Sequence, residues 1–484
     1  MIMYHSTRGG SPPVSFDQAV LQGFAEDGGL FVPHPIPHLS RARLERWKSL
    51  DYVALAKEVM SCFIDPEIVP KQDLERLLAA SFAPFEQADP PLASPEQDGQ
   101  NWIMELFHGP TLSFKDVAMG FLIELMDYFL EKLDERLSLI LATTGDTGPA
   151  AAYAVADKKR ISCWPLYPAQ MISHEQELQM TTIGASNVCP VEVQDCRNGG
   201  DDLDVVVARL FGDEQLRKRL KLSSVNSINI GRVLMQTVHY FYAYFRTVER
   251  PGDQLVFSIP AGAFGNLCGG ELAREMGLPI EFICATNKNR TLHRIFSEGI
   301  FEKSVLQQSI SSAIDIVIPY NFWRFLYFRC GADTTVVNKA VTEFERYGRV
   351  QFDDTTQSKL RQGVVSTSVS DEQTLDTIAT TFDRTGYLLD PHGAVAVAGT
   401  EKCRSSFAEH SRFVSVATAH PAKFPEVIKK ALPRGRQLPD SAFHHSIEEA
   451  KKAETKALIC TYDELERRLV DEIDTSLQRR TPNF

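Results

Sequence analysis

The sequence predicts an α/β fold built on a largely parallel sheet. Short β-rich apolar runs alternate with helical patterns through the middle of the chain, the mark of strand–helix–strand units. Two glycine-bearing loops, "TTGDTG" (143–148) and "PAGAFGN" (260–266), each stand where a strand hands over to a helix. The 484 residues, 43% apolar and 24% charged, supply material for about two to three domains with ordinary cores.

Residues 1–85 read as mixed helix and loop, with "DGGLFVPHPIP" (27–37) as a turn-rich segment. The Pro- and Asp-rich stretch "FAPFEQADPPLASPEQDGQ" (82–100) reads as a linker or long surface loop, which divides the chain into an N-terminal region, 1–95, and a catalytic region, 96–484. "LSLILATT" (137–144) is a strand leading into the Ala-rich helical run after Gly148, and "ISCWPLYP" (161–168) a strand before a polar segment and a helix. "SVNSINIGR" (224–232) precedes an amphipathic helix, "VLMQTVHYFYAYF". Then "QLVFSIP" (254–260) runs through its glycine loop into "ELAREM", "PIEFICAT" (279–286) follows, and "RFVSVAT" (412–418) is a late strand. A charged helix, a short strand and a second helix close the chain.

Several function classes are disfavoured. A net charge of -12 argues against nucleic acid or an anionic membrane as partner. No run approaches the ~18 apolar residues of a membrane span, and the start "MIMYHSTRGGSPP" lacks the layout of a signal peptide. The nine cysteines are dispersed without CxxC spacing, as expected of reduced thiols. A soluble, cytoplasmic protein is the expectation.

The segment "ELFHGPTLSFKD" (105–116) carries the sharpest chemical signal. It opens apolar, breaks at His108-Gly109-Pro110, and sets Lys115 after Phe114 at the mouth of an apolar helical run. Lysine prefers water, so one aimed from an apolar shoulder is either a snorkelling side chain or an amine made nucleophilic by desolvation. In "PAGAFGN", small residues let backbone N–H groups approach a phosphate at the positive end of the next helix, although such a turn can also be merely tight. It matches neither GxxxxGK[ST] nor GxGxxG with an acidic ribose ligand, so a small phosphate ester fits better than a nucleotide. "TTGDTG" offers hydroxyls and backbone donors to a carboxylate, with Asp146 as a plain helix cap the competing reading. Asn226 and Asn229 can be caps, and Arg232 brings a fork that matches phosphate or carboxylate. A phosphate cradle, a carboxylate cradle and an activated lysine are together what a pyridoxal-phosphate enzyme acting on an amino acid requires.

"ELFHGPTLSFKD" resembles, almost letter for letter, the cofactor-lysine segment of threonine synthases. "STRGG" (6–10), "DGGLFVP" (27–33), "QELQMTT" (176–182), "SVNSIN" (224–229), "IPAGAFGN" (259–266), "CATNKN" (284–289), "LLDPHGAVA" (388–396) and "ATAHPAKFPE" (417–426) continue the match in family order. The resemblance implies a fold-type II, tryptophan synthase β-like enzyme, with pyridoxal 5'-phosphate between two α/β domains and an added N-terminal domain. Carried over by position, Lys115 would hold the cofactor through a covalent imine, and Gly262, Ala263, Phe264, Gly265 and Asn266 would cradle its phosphate. Thr418 would meet the ring nitrogen. Thr143, Thr144, Gly145, Asp146 and Thr147 would receive the substrate carboxylate, and Asn226, Asn229 and Arg232 the substrate phosphate. The implied reaction eliminates phosphate from O-phospho-L-homoserine and adds water to give L-threonine, in a monomer or homodimer without a metal.

Some positions depart from the family pattern. The usual GNFGN or GNFGD has Ala at 263, DPHTA has Gly at 393, an acid is replaced by Arg290, and PSNFER reads "PYNFWR" (319–324). These look more like threonine synthase-like proteins, some of which release a 2-oxo acid. Three alternatives therefore stand: a phospho-lyase making 2-oxobutyrate, a γ-replacement enzyme using another nucleophile, and a non-catalytic binding homologue.

Overall fold

The computed structural model describes residues 2–480 except 251, 434 and 436, so the outer limits of the two expected regions, 1 and 484, lie outside the described residues. The chain packs as two compact units, Met1–Phe121 with Ser227–Phe443, and Leu122–Asn226 with His444–Phe484.

The first unit is built on a six-stranded sheet, ordered Val364–Ser368, Ile280–Thr286, Leu255–Pro260, Arg412–Ala417, Asn101–Glu105, Leu92–Ala93. Every neighbouring pair is parallel except the last, where the short edge strand runs antiparallel to Asn101–Glu105. The central strands are near-continuous apolar runs because parallel strands are covered on both faces. Leu255–Pro260 is buried at every residue, and Arg412–Ala417 at all but its first. The stretch 82–100, expected as a linker, thus contributes an edge strand; backbone pairing of the half-buried Leu92 and Ala93 with Met104 and Ile103 outweighs its Pro-rich composition.

Helix Ile230–Thr247 was expected to be amphipathic, yet among its residues only Arg246 is exposed. Helix Gly265–Glu275 packs against it, and so does helix Tyr52–Met60 from the N-terminal region, so it has no solvent face. Several of its polar groups bond within the protein: Gln236 donates to the Arg232 carbonyl at 2.8 Å, and the Tyr244 hydroxyl to that of Asp253 at 3.0 Å.

The second unit carries a five-stranded, wholly parallel sheet, ordered Leu458–Thr461, Val191–Gln194, Ile161–Pro168, Leu137–Ala142, Leu222–Ser223. The C-terminal strand expected from sequence is its edge, flanked by helices His445–Ala450 and Leu465–Arg480. All nine cysteines are free, and no described helix is long and apolar enough to cross a membrane.

Candidate active site

Ligands in open parallel sheets sit beyond the carboxyl ends of the strands, and in the first unit three adjacent strands deliver the expected cofactor residues there. Asn101–Glu105 runs on toward Lys115, Arg412–Ala417 ends at Thr418, and Leu255–Pro260 leads into Gly262–Asn266. The first two are tied beyond the sheet. The Phe114 N–H donates to the Thr418 carbonyl at 2.8 Å, and the His420 N–H to that of Leu112 at 3.0 Å. Ser113 and Ala419 form an antiparallel bridge. Lys115 opens helix Lys115–Leu133, half-buried, with its Nζ 4.5 Å from the centroid of the Phe114 ring. Lys115 and Thr418 are thus brought together by the backbone itself.

The turn before Lys115 is closed by Asp116. Its carboxylate accepts from the Thr111 N–H at 2.9 Å and the Thr111 hydroxyl at 2.6 Å. A Cβ at Gly109 would lie 2.6 Å from that side chain, so glycine is required for the close approach. Burial pushes the Asp116 carboxyl up to about 6 against the pull of these bonds and of Lys423. Arg232, fully buried, has its guanidinium lowered to about 10 by desolvation, partly offset by the charge of Asp116.

The Gly262–Asn266 loop is clamped from two sides. A Cβ at Gly262 would lie 2.9 Å from the Ile314 Cα, and the Ala263 carbonyl accepts from Asn321 Nδ2 at 3.1 Å. Phe264 adopts a left-handed φ of 65°, which turns the chain into helix Gly265–Glu275. Asn266 Oδ1 accepts from the Tyr240 hydroxyl at 2.6 Å and faces His239 Nε2 at 3.0 Å, whereas Asn266 Nδ2 is buried without a protein partner. Burial lowers His239 to about 4, so it is neutral and donates from Nε2. Asn229 caps helix Ile230–Thr247 by accepting from the Gly231 N–H at 3.1 Å, and its amide donates to the Val20 carbonyl at 2.8 Å.

Gly393 sits in the N-terminal turn of helix Pro391–Cys403, capped by Asp390, which accepts from the N–H groups of His392 at 2.8 Å and Gly393 at 3.0 Å. His392 Nδ1 lies 2.9 Å from Asp390, and its Nε2 accepts from the Ala313 N–H at 3.1 Å, which makes it the neutral Nδ1–H tautomer. A Cβ at 393 would stand 2.8 Å from Asp390 Oδ2 and 3.5 Å from the Ala417 Cβ, one residue before Thr418. Tyr320, by contrast, is an exposed aromatic.

In the second unit, Thr143–Thr147 joins strand Leu137–Ala142 to helix Thr147–Val155. The Thr143 hydroxyl accepts from the N–H groups of Gly145 at 3.2 Å and Gly148 at 2.9 Å, which curls the loop. Asp146 makes no capping bond through its side chain; its Oδ1 accepts from Gln176 Nε2 at 2.9 Å. A Cβ at Gly145, φ 147°, would lie 2.5 Å from that same nitrogen. Thr144 and Thr147 are half-buried. Asn226, in this unit, donates from its backbone N–H to Ser224 Oγ at 3.3 Å, and its Oδ1 is buried without a partner.

Four side chains that sequence reasoning missed brace these elements: His239, Tyr240, Asn321 and Arg324. Asn321 and Arg324 left a trace, being among the four letters that "PYNFWR" shares with PSNFER, with Pro319 and Phe322. His239 and Tyr240 left none, because they read as ordinary members of an amphipathic helix.

Residues 90–419 match the family described as "Pyridoxal-phosphate dependent enzyme", which defines the class. The flanks are more particular: residues 3–82 match "Threonine synthase N terminus" and residues 393–467 "Threonine synthase, C-terminal". A threonine synthase of Pseudomonas aeruginosa is 37% identical over 430 residues, 88% of this chain and 90% of the relative. A human protein named threonine synthase-like 2 is 37% identical over 433 residues, 88% and 89% of the two chains. The crystal structure of threonine synthase from yeast superposes with a TM-score of 0.90 at 33% identity, covering 98% of this chain and 99% of that one. A PLP-bound threonine synthase from Brucella melitensis superposes with a TM-score of 0.89 at the same identity and coverage. The chain belongs to the threonine synthase family, and it is a fold-type II enzyme that uses pyridoxal 5'-phosphate on a small-molecule substrate.

The residues present fit that cofactor. A half-buried lysine lies beside a buried threonine, and a glycine-rich loop opens a helix of eleven residues, from Gly265 to Glu275, whose N-terminal N–H groups suit a phosphate. The buried Asn266 Nδ2, without a protein acceptor, is the kind of donor such an anion satisfies.

Proposed function

We propose that the enzyme eliminates phosphate from O-phospho-L-homoserine and adds water, releasing L-threonine. The reaction balances as O-phosphohomoserine plus water giving threonine plus phosphate, with the Cγ–O bond broken and a hydroxyl placed on Cβ. The observation that carries the reading is the convergence of Lys115, Thr418 and the Gly262–Asn266 loop at the carboxyl ends of three adjacent strands. The bound cofactor supplies an electron sink that acidifies Cα and then Cβ.

The chain's own residues divide the remaining work. Lys115 Nζ takes the Cα proton, since an amine released beside Cα is already in reach of it. Thr418 Oγ1 meets the pyridine nitrogen; a hydroxyl does not fully protonate that nitrogen, so the sink is weaker than one paired with aspartate. Gly262, Ala263, Phe264, Gly265 and Asn266 hold the cofactor phosphate. Thr143, Thr144, Gly145, Asp146 and Thr147 form the carboxylate receptor, with Gln176 holding Asp146 in place. Arg232 receives the substrate phosphate, which supplies a counter-charge for a buried guanidinium. Asn229 fixes the helix start from which Arg232 projects.

A second reading is favoured by one observation. Where the family pattern has a hydroxyl, Gly393 has none, and it packs against Ala417 beside the proposed ring-nitrogen partner. A less firmly held water would let the unsaturated product be hydrolysed to 2-oxobutyrate and ammonia, still with release of phosphate. Incubation of purified enzyme with O-phosphohomoserine, with threonine and 2-oxobutyrate both assayed, separates the two.

A further inference from the structure

Asn321 opens helix Asn321–Arg329 and is fully buried. Its Nδ2 donates to the Ala263 carbonyl at 3.1 Å, the Ser227 carbonyl at 3.1 Å and the Ser227 Oγ at 3.2 Å. The orientation of the amide is set by Arg324, which donates from Nη1 to Asn321 Oδ1. Arg324 donates further from Nε to the Phe31 carbonyl at 3.1 Å and from Nη2 to that of Ile228 at 2.7 Å. Gly265 makes the close approach possible, since a Cβ there would lie 3.3 Å from Asn321 Nδ2. Arg324 is buried, and the acceptors it meets, two backbone carbonyls and the Asn321 amide oxygen, are all neutral. Burying a guanidinium with neutral acceptors alone is costly, and such a site is favoured when an anion binds close by.

We propose that Asn321 is the positioning residue of the phosphate loop. Its amide, set by Arg324, holds Ala263 and Ser227 in one register, so cofactor affinity and the seating of the phosphorylated substrate depend on it together. The proposal rests on the reading that Gly262–Asn266 cradles the cofactor phosphate.

Asn321→Asp tests it at nearly constant shape. The aspartate still accepts from Arg324 and gives it a charge partner, but it cannot donate to either loop. The expected result is a variant that still folds without cofactor, at some cost in melting temperature because its carboxylate faces the Ala263 and Ser227 carbonyls that the amide served. Its dissociation constant for pyridoxal phosphate, titrated spectrally, should rise at least about tenfold, and the 31P resonance of the bound cofactor should shift. KM for O-phosphohomoserine should rise by more than kcat falls. Asn321→Ala, which removes both the donor and the acceptor, should weaken the cofactor in the same direction. Cofactor affinity and 31P resonance within error of the parent in either folded variant would overturn the proposal. So would failure of both variants to fold without cofactor, since Asn321 would then be only a structural residue. Gly262→Ala keeps the two readings apart: unchanged cofactor affinity there refutes the phosphate-loop assignment itself, whatever Asn321 does.

Discussion

Lys115 follows Phe114 at a helix mouth whose approach is closed by Asp116 and Gly109 and whose backbone is bonded to Thr418. Lys115→Ala should yield a folded protein without the lysine-bound cofactor absorbance, and borohydride should no longer attach the cofactor to the chain. Borohydride labelling of another lysine in the parent would show that the wrong amine was assigned. Thr418→Val removes a hydroxyl at almost constant volume, and a lost buried hydrogen bond costs roughly 1–3 kcal/mol. Turnover should therefore fall about tenfold or more at an unchanged melting temperature; unchanged turnover and cofactor spectrum would count against the pairing. Gly393→Thr is less benign than the family pattern implies, because its Cβ would press within 2.8 Å of the capping carboxylate of Asp390. Disturbing that cap should cost about 0.5–2 kcal/mol, seen as a lower melting temperature, and any rise in the threonine to 2-oxobutyrate ratio must be read against it. At this scale the lysine and both glycine loops stood out because the chemistry proposed for them asks for particular residue types at particular spacings. The braces did not: an asparagine or histidine that acts through a distant backbone carbonyl has no local signature.

Helices Ile230–Thr247 and Gly265–Glu275 meet through polar side chains buried in an otherwise apolar contact. His239 Nε2 and the Tyr240 hydroxyl both hold Asn266 Oδ1. The folded His239 titrates near 4, below the roughly 6.5 of an unfolded histidine, so protonation favours unfolding. Its contribution is fully present above about pH 6.5 and is lost progressively as the pH falls toward about 4. Between pH 7.5 and 5 this predicts a loss of about 2 kcal/mol of apparent unfolding free energy that His239→Gln, still able to donate to Asn266, does not show. Equal losses in urea titrations of parent and variant would remove His239 from the interface energetics. Elements were legible where periodicity was clean. Ile230–Thr247 was found as a helix, but its burial was not, because polar letters that read as a solvent face are spent on internal hydrogen bonds. Strand Asn101–Glu105 went unrecognised since "NWIME" is too short and too polar at its ends to stand out, and its place is decided by pairing with Arg412–Ala417.

On the scale of the whole molecule, the two large sheets are parallel apart from one edge pair, two small two-stranded sheets are antiparallel, and the loops proposed to hold the cofactor leave three neighbouring strands of the first unit at the same end. The α/β class was legible from strand–helix alternation alone. The strand order was not, because Asn101–Glu105 lies beside a strand more than three hundred positions later, and pairing at such separation is written in no local pattern. The family motifs carried what periodicity could not, and they cover the N-terminal and C-terminal regions as well as the catalytic one. What the shared architecture leaves open is which product the proposed reaction releases, and Gly393, next to Ala417, is the departure from the family pattern that lies nearest the proposed site. The most direct test is therefore the product balance of the purified holoenzyme given O-phospho-L-homoserine. Phosphate and L-threonine should appear in equal amounts, with 2-oxobutyrate a minor product; phosphate release matched by 2-oxobutyrate instead, or no phosphate release at all, would contradict the proposed function.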